Sequence, residues 1–123
     1  FRIPIRYREL AVIAARYHGL VHKVAELRPA TIVEVLEGTD AFRRPERFER
    51  LLRVCEADYR GRETYQERHY HQADRWRAYL VAVQGIDIGA IARATGERGR
   101  IPERVREARA KAVRAIQEET AQA

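Results

Sequence analysis

The sequence predicts an all-α protein, an irregular bundle of about six helices. Three observations support this fold class. Apolar residues recur at helical spacing in several segments. Proline or aspartate begins most of these segments, and glycine ends most of them. No run of residues alternates between polar and apolar as a half-buried strand does. With 123 residues, the chain can bury one small hydrophobic core.

The first half of the chain contains three predicted helices. Pro4 begins the first, whose apolar stripe consists of Leu10, Ile13, Ala14, Tyr17, Val21 and Val24. A short second helix follows Pro29 and ends at Gly38. The third runs from about Pro45 to Arg60, with an inward face made by Phe48, Leu51, Leu52, Cys55 and Tyr59.

Three further helices are predicted in the second half. One runs from Gln72 to Gln84, with an apolar stripe of Trp76, Tyr79, Leu80 and Val83. A short helix capped by Asp87 follows and ends before Gly96. The last begins at Pro102, and one of its sides carries Ile101, Val105, Ala108, Ala112 and Ile116. The polar segment between the third and fourth helices is predicted as a loop. Its Tyr65, His69, Tyr70 and His71 either stack on RNA bases or, as we favour, pack the loop against its own domain.

Asp58 is the candidate site residue of the third helix, because it lies on or beside the apolar face. A carboxylate in that position needs a cation, a metal or hydrogen-bond donors. Two interpretations remain open, a salt bridge to a nearby arginine and a metal ligand. His18 and His22 favour the second, since their four-residue spacing places both imidazoles on one side of the first helix. Core-edge packing of one histidine is the simpler explanation of that pair.

The net charge of +6 comes almost entirely from arginine and favours a polyanionic partner. The arginines cluster at both ends of the third helix, where we predict a tRNA-binding surface made by Arg43, Arg44, Arg47, Arg60 and Arg62. The alternative is intrachain pairing with Asp40, Glu46, Glu49 and Glu56. The single cysteine, Cys55, cannot form an internal disulfide. No segment is apolar enough to predict a membrane span or a signal peptide, and we expect a cytoplasmic protein.

The segments ARYHGLVHK, LRPATIVEVLEGTDAFRRPERFERLL, EADYRGR and YHQAD occur in this order along the chain. Together they resemble the C-terminal part of bacterial CCA-adding tRNA nucleotidyltransferases, in the class that carries an HD phosphohydrolase domain. The resemblance covers nearly the whole chain and is strongest from Arg16 to Asp74. Two departures lie near the predicted loop. His71 replaces the usual proline, and ETYQE replaces a Gly-Phe-Glu sequence.

The resemblance implies two domain parts, residues 1–62 as the late part of an HD domain and residues 63–123 as a helical body and tail. It implies that the whole protein adds CCA to tRNA from CTP and ATP. It also implies hydrolysis of 2′,3′-cyclic and 2′-phosphates with a divalent metal, Mg or a transition metal such as Ni. His18 and Asp58 match late positions of the HD fold, which implies a partial metal site. Besides CTP and ATP, the resemblance implies tRNA as a binding partner.

Neither a His-Asp dipeptide nor the Gly-Ser and Asp-x-Asp signatures of that family occur in the sequence. We therefore expect the chain to be a fragment that is inactive alone and holds no metal well. The alternative function is a non-catalytic helical module for protein interaction, in which Asp58 and His18 are structural.

Overall fold

A computed structural model describes residues 3–62 and 68–122 of the chain. Within these ranges it contains six α-helices and no strand: α1 (Ile5–His22), α2 (Pro29–Gly38), α3 (Pro45–Arg60), α4 (His71–Gln84), α5 (Ile88–Ala94) and α6 (Ile101–Gln122). Single 3₁₀ turns lie at Val24–Glu26 and Arg98–Arg100. The predicted all-α class is confirmed. None of the helices in the described ranges has the length and apolar character needed to cross a membrane.

Helix boundaries follow the local chemistry of the sequence. Proline begins α2 and α3, where its missing N–H would have no helical partner in any case. The Oδ1 atom of Asp87 accepts a hydrogen bond from the backbone N–H of Ala90 at 2.9 Å and caps α5. The fourth and sixth helices begin one residue earlier than predicted. Residues 63–67 of the predicted loop, including Tyr65, lie outside the described ranges.

The core forms where α1, α3 and α4 meet and where α6 packs across α2, α4 and α5. Trp76 of α4 is fully buried at its centre, with its ring edge-on to Phe48 at a centroid distance of 6.0 Å. The indole N–H of Trp76 donates to the carbonyl oxygen of Val21 at 3.0 Å. This bond satisfies the one polar atom of the largest core side chain and joins α4 to the last turn of α1.

The predicted stripe of α4 is confirmed, because Trp76, Tyr79, Leu80 and Val83 are buried. In the stripe of α3, four residues are buried and Tyr59 is half-buried against the core; the buried four are Phe48, Leu51, Leu52 and Cys55. The stripe predicted for α6 needs a correction. Val105 is buried as expected, but Val113, which the predicted stripe omits, is fully buried. Helix α6 contacts α2, α4 and α5, so more than one narrow side of it lies against the core. A single stripe therefore describes its burial incompletely.

Helix α2 approaches α1 closely at Gly38. A Cβ atom built on Gly38 would overlap the hydroxyl group of Tyr17 and lie 2.8 Å from its Cζ. Thr39 next to it is fully buried, and Asp40 adopts a left-handed conformation with φ of 57°. Aspartate tolerates that conformation better than most residues do. The turn from α2 to α3 thus depends on a small residue followed by one that accepts a positive φ.

We predict that Gly38→Ala destabilises the protein by about 1–3 kcal/mol, because the added methyl group must displace the Tyr17 ring. The control is Gly19→Ala in α1, where no atom lies within 4 Å of the new Cβ. Alanine there should stabilise the helix by roughly 0.5–1 kcal/mol. Urea unfolding measures both effects. Equal changes in the two variants would contradict the close approach at Gly38.

A bidentate ion pair joins α3 to α4. Arg77 donates from Nε to Oε1 of Glu49 at 2.9 Å and from Nη2 to Oε2 at 2.7 Å. These hydrogen bonds are the main reason why the pKa of Glu49 lies below its ordinary value of 4.5, and the pKa of Arg77 is raised by the same partner. Two parallel bonds fix the relative orientation of the two helices as well as their distance.

The lowered pKa of Glu49 predicts a pH dependence of stability. The contribution of the pair is fully present above the carboxyl's ordinary pKa of 4.5 and is lost as the pH falls through the lowered folded value. Glu49→Gln should therefore be less stable than the parent at neutral pH, and the difference should shrink on acidification below 4.5. Urea midpoints over a pH series test this. Glu118→Gln, at an exposed carboxylate of α6, is the control and should show a smaller pH-dependent difference. A constant difference between Glu49→Gln and the parent would refute the prediction.

Candidate functional site: a basic cleft at the end of α1

Three side chains from three segments form a hydrogen-bonded chain at the end of α1. The Nε2 atom of His22 lies 3.1 Å from Oδ2 of Asp58 in α3. Its Nδ1 atom lies 2.7 Å from the hydroxyl oxygen of Tyr70, the residue before α4. Gln72 adds a further bond, from its Nε2 to the carbonyl oxygen of His22 at 3.3 Å. His22 thus connects α1, α3 and α4.

The partners of His22 determine where the protons lie. A carboxylate only accepts, so Nε2 of His22 carries the hydrogen that Asp58 receives. Burial, before any other cause, raises the pKa of Tyr70 far above its ordinary value, so the phenol stays protonated and can donate to Nδ1. Burial likewise raises the pKa of Cys55 to about 12, with a smaller effect from Asp58. The Cys55 thiol is therefore protonated at neutral pH and is not a nucleophile.

An open cleft of about 430 Å³ lies beside the hydrogen-bonded side chains at the end of α1. Positive and imidazole groups dominate its lining, which consists of His18, Gly19, His22, Lys23, Tyr59, Arg62, Arg68 and Gln72. Guanidinium, ammonium and imidazole groups all donate hydrogen bonds to phosphate oxygens. The cleft therefore has the chemistry of an anion-binding site, and the fixed ring of His22 forms part of its wall.

His18 and Asp58, the two predicted metal ligands, both contact His22. The ring of His18 is edge-on to that of His22 at a centroid distance of 6.1 Å. Its Nδ1 atom lies 3.0 Å from the carbonyl oxygen of Ala14, so Nδ1 carries a hydrogen and Nε2 is the nitrogen that could bind an ion. The side chain of Asp58 is 52% exposed, so it is beside the apolar face rather than within it. An imidazole nitrogen and a carboxylate are both suitable ligands for a divalent ion. A metal site in a protein, however, usually contains three or more protein ligands.

Each of the five predicted RNA-binding arginines has an acidic neighbour. Arg43 pairs with Asp40 at 2.8 Å, Arg60 with Glu56 at 2.9 Å and Arg62 with Asp58 at 3.8 Å. Arg44 and Arg47 both reach Glu9 of α1, at 3.1 and 3.4 Å. The pairs of Arg43 and Arg60 are among those that the intrachain alternative predicts. Glu9 and Asp58 are not among the predicted partners, and the RNA-binding role of the five arginines stays a prediction.

Exposure separates these arginines into two groups. The side chain of Arg47 is only 14% exposed, and its Nη2 donates to the carbonyl oxygen of Thr39 at 2.9 Å. Arg47 therefore holds the turn between α2 and α3. The side chains of Arg43 and Arg62 are 81% and 61% exposed, so a phosphate could reach them without displacing core contacts.

A larger hollow of about 640 Å³ lies between α5 and α6. Its charged lining is mixed in sign, because Arg100, Arg104 and Lys111 are accompanied by Glu97 and Glu107. Arg104 pairs with Glu107 at 3.2 Å. This hollow has less positive character than the cleft at the end of α1.

Tyr70 is the site residue for which the sequence allows both RNA stacking and packing. Its side chain is buried, with 1% exposure, so packing is the outcome for this tyrosine. Tyr70, Ala73 and Trp76 are all buried and lie three residues apart. The predicted stripe of α4 begins at Trp76. Counting back from Trp76 in steps of three residues gives Ala73 and then Tyr70, so helical spacing would have placed Tyr70 on the buried side.

We predict that Tyr70→Phe destabilises the protein by about 1–2 kcal/mol, because it leaves the Nδ1 atom of His22 without its donor. Tyr7→Phe is the matched control, since Tyr7 is 48% exposed and water can replace its hydroxyl contacts. Urea unfolding compares the two. Equal stability of Tyr70→Phe and the parent would argue against the hydrogen-bonded chain.

Comparison with known proteins gives a consistent result for this chain. It is 51% identical over 114 residues to a multifunctional CCA protein of Aromatoleum aromaticum, a match that covers 93% of the chain and 28% of that relative. The corresponding proteins of Thioalkalivibrio sulfidiphilus and Burkholderia multivorans are 52% and 46% identical, over 79% and 91% of the chain and 25% and 27% of their own lengths.

The chain thus spans about a quarter of the length of the curated relatives that it matches. No family model matches the sequence, and no solved structure matches the chain. Identity of 42–52% over most of the chain, repeated in several organisms, shows common descent. Over most of its own length, the chain is therefore a homologue of one part of the multifunctional CCA proteins.

Proposed function

We propose that this chain serves tRNA maturation as part of a multifunctional CCA protein, and that its cleft at the end of α1 binds a phosphate group of the RNA. The observation that carries this proposal is the lining of the cleft. Lys23, Arg62 and Arg68 surround it together with the imidazoles of His18 and His22. Phosphate groups dominate the affinity of proteins for RNA, so a cleft of this composition suits an RNA partner.

The activity of the whole protein belongs to the same proposal. We expect CCA addition to tRNA 3′ ends from CTP and ATP, and HD-type hydrolysis of 2′,3′-cyclic and 2′-phosphates. Residues 1–62 would form the late part of the HD domain, and residues 63–123 the helical body and tail. The packing of α6 on α2 supports a close association of these two parts. The family relationship supports this reaction class, and the cleft supports a role of the chain in binding.

A divalent metal, Mg or a transition metal such as Ni, is part of the proposed whole-protein chemistry. His18 Nε2 and the carboxylate of Asp58 would be the donors from this chain, with further ligands from elsewhere in the protein. Such an ion, when bound, polarises a phosphoryl oxygen or activates a water molecule. The chain's own contribution is orientation. Asp58 is held by His22, and His18 is held by the carbonyl oxygen of Ala14.

The surface arginines extend the proposed RNA contact beyond the cleft. Arg43 and Arg62 are the most exposed of the predicted set, and Arg44 and Arg60 are 43% and 45% exposed. We propose that these four contact the RNA backbone. Each would exchange a carboxylate neighbour, whose side chain is at least 30% exposed, for a phosphate. This exchange costs little because ion pairs at the surface are weak. Arg47 would support this surface by holding the turn beneath it.

The test compares two double variants of equal charge. Lys23→Ala with Arg62→Ala removes two cations of the cleft, whereas Arg104→Ala with Lys111→Ala removes two cations of α6. Fluorescence anisotropy with labelled tRNA should show weaker binding for the cleft variant. The slope of log affinity against log salt should fall by about 0.7–0.9 for each phosphate that the variant no longer neutralises. The α6 variant should bind nearly as the parent does.

Equal losses of affinity in both double variants would show that net charge alone holds the RNA, and the proposed role of the cleft would be wrong. Circular dichroism of each variant checks that the helices remain folded. The predicted alternative, a non-catalytic interaction module, is favoured by the exposed apolar side chains of α1. Ile5 and Val12 are 65% and 66% exposed. A parent protein that does not bind tRNA at any salt concentration would support that alternative.

A further inference from the structure

Three side chains at the start of α4 converge on the protein surface. His69, His71 and Asp74 each offer one ligand atom, and these atoms lie within 4.8 Å of one another. Among the residues that the structure describes, this is the one group of three or more His, Cys, Asp or Glu side chains that meets such a distance limit. All three residues are exposed, so an ion could reach them from solvent.

Two of the three residues flank the buried Tyr70 in the sequence. The φ of −88° and ψ of 82° of Tyr70 are not helical, and its ring lies in the core. His69 and His71 are exposed on either side of it in the sequence, and their ring centroids lie 4.6 Å apart. Asp74 joins them because it follows His71 by three residues on the same face of α4.

The carboxylate of Asp74 is held in place by two neighbours. Its Oδ2 atom lies 2.6 Å from Nε2 of His69, and its Oδ1 atom accepts a hydrogen bond from Nη1 of Arg77 at 3.0 Å. Arg77 is itself fixed by its two bonds to Glu49. Outer hydrogen bonds that orient a ligand in this manner are a common feature of metal sites. They leave Oδ2 directed toward the histidines.

We propose that His69, His71 and Asp74 form a binding site for a first-row transition-metal ion such as Zn²⁺ or Ni²⁺. Two imidazoles and one carboxylate are suitable donors for these ions, whereas Mg²⁺ prefers oxygen ligands. Metal–ligand bonds of about 2.0–2.1 Å in a tetrahedral site require ligand atoms about 3.3 Å apart. Small rotations of exposed side chains bring the three groups to that separation.

Binding of the metal ion breaks one hydrogen bond of the site, the one between His69 and Asp74. The ion takes the place of the hydrogen between Nε2 of His69 and Oδ2 of Asp74. A neutral His69 then carries its hydrogen on Nδ1, whereas a protonated His69 releases one proton to solvent. Three protein ligands leave at least one coordination position for water or for an anionic group of a partner. The site uses none of the residues of the cleft and does not rest on the proposed function.

Titration with Co²⁺ tests the site, because Co²⁺ bound to such ligands absorbs visible light and Zn²⁺ displaces it. The full chain, freed of any polyhistidine tag, should bind one equivalent, and excess Mg²⁺ should not compete. His71→Ala and Asp74→Asn should each weaken binding by about tenfold or more. His71→Pro is a second test variant, since proline suits the first position of a helix and keeps the fold while removing the ligand.

The control is Glu118→Gln, at an exposed carboxylate of α6, which should leave Co²⁺ affinity unchanged. His18→Ala, which removes an exposed histidine of the cleft, tests whether the ion binds there instead. Loss of binding in His18→Ala, with normal binding in His71→Ala, would place the ion at the cleft and overturn the inference. No visible absorption in the parent protein, or the parent's affinity in His71→Ala, Asp74→Asn and His71→Pro, would also overturn it. Failure of metal binding at His69, His71 and Asp74 would leave the proposed tRNA binding unaffected, because the cleft contains none of these residues.

Discussion

The last turn of α1 is the point on which the rest of the structure depends. Its His22 is bonded to Asp58 of α3 and to Tyr70 before α4, and the carbonyl oxygen of Val21 accepts the indole N–H of Trp76. Several polar groups at the edge of the core are thereby satisfied at once, which matters because a buried unpaired group costs about 1–3 kcal/mol. The same bonds bring together the ends of α1, α3 and α4. The basic cleft lies where these ends meet.

The arginines at the ends of α3 differ in how firmly the protein holds them and in how accessible they are to a partner. Pairs such as Arg43 with Asp40 and Arg60 with Glu56 lie at the ends of α3, and Arg77 joins α3 to α4. Exposed pairs contribute little to stability, so in the proposed RNA contact a phosphate would replace the carboxylate at small cost. Arg47 differs because it is nearly covered and bonded to the backbone of Thr39. The net charge of +6 does not reveal this distinction.

Local features of the sequence predicted local features of the structure well. Proline and glycine marked both ends of α3, and its apolar spacing identified the buried face. Long-range features were harder to predict. Glu9 pairs with Arg44 across 35 residues, and the burial of Val113 depends on the several helices that α6 contacts. His22, rather than His18, connects the helices at the cleft, and equal spacing on α1 could not distinguish the two. The roles of His18 and Asp58 as metal ligands stay predictions.

Histidine tautomers give the most direct test of this account. Long-range ¹H–¹⁵N correlation by NMR, at a mildly alkaline pH where imidazoles are neutral, reports which ring nitrogen carries hydrogen. The partners of His22 require hydrogen on Nε2, whereas the bond of His18 to the Ala14 carbonyl oxygen requires it on Nδ1. Opposite tautomers for these two histidines, with slow solvent exchange at His22, are the predicted result. A rapidly exchanging mixture of tautomers at His22 would contradict the claim that this side chain joins α1 to α3 and α4.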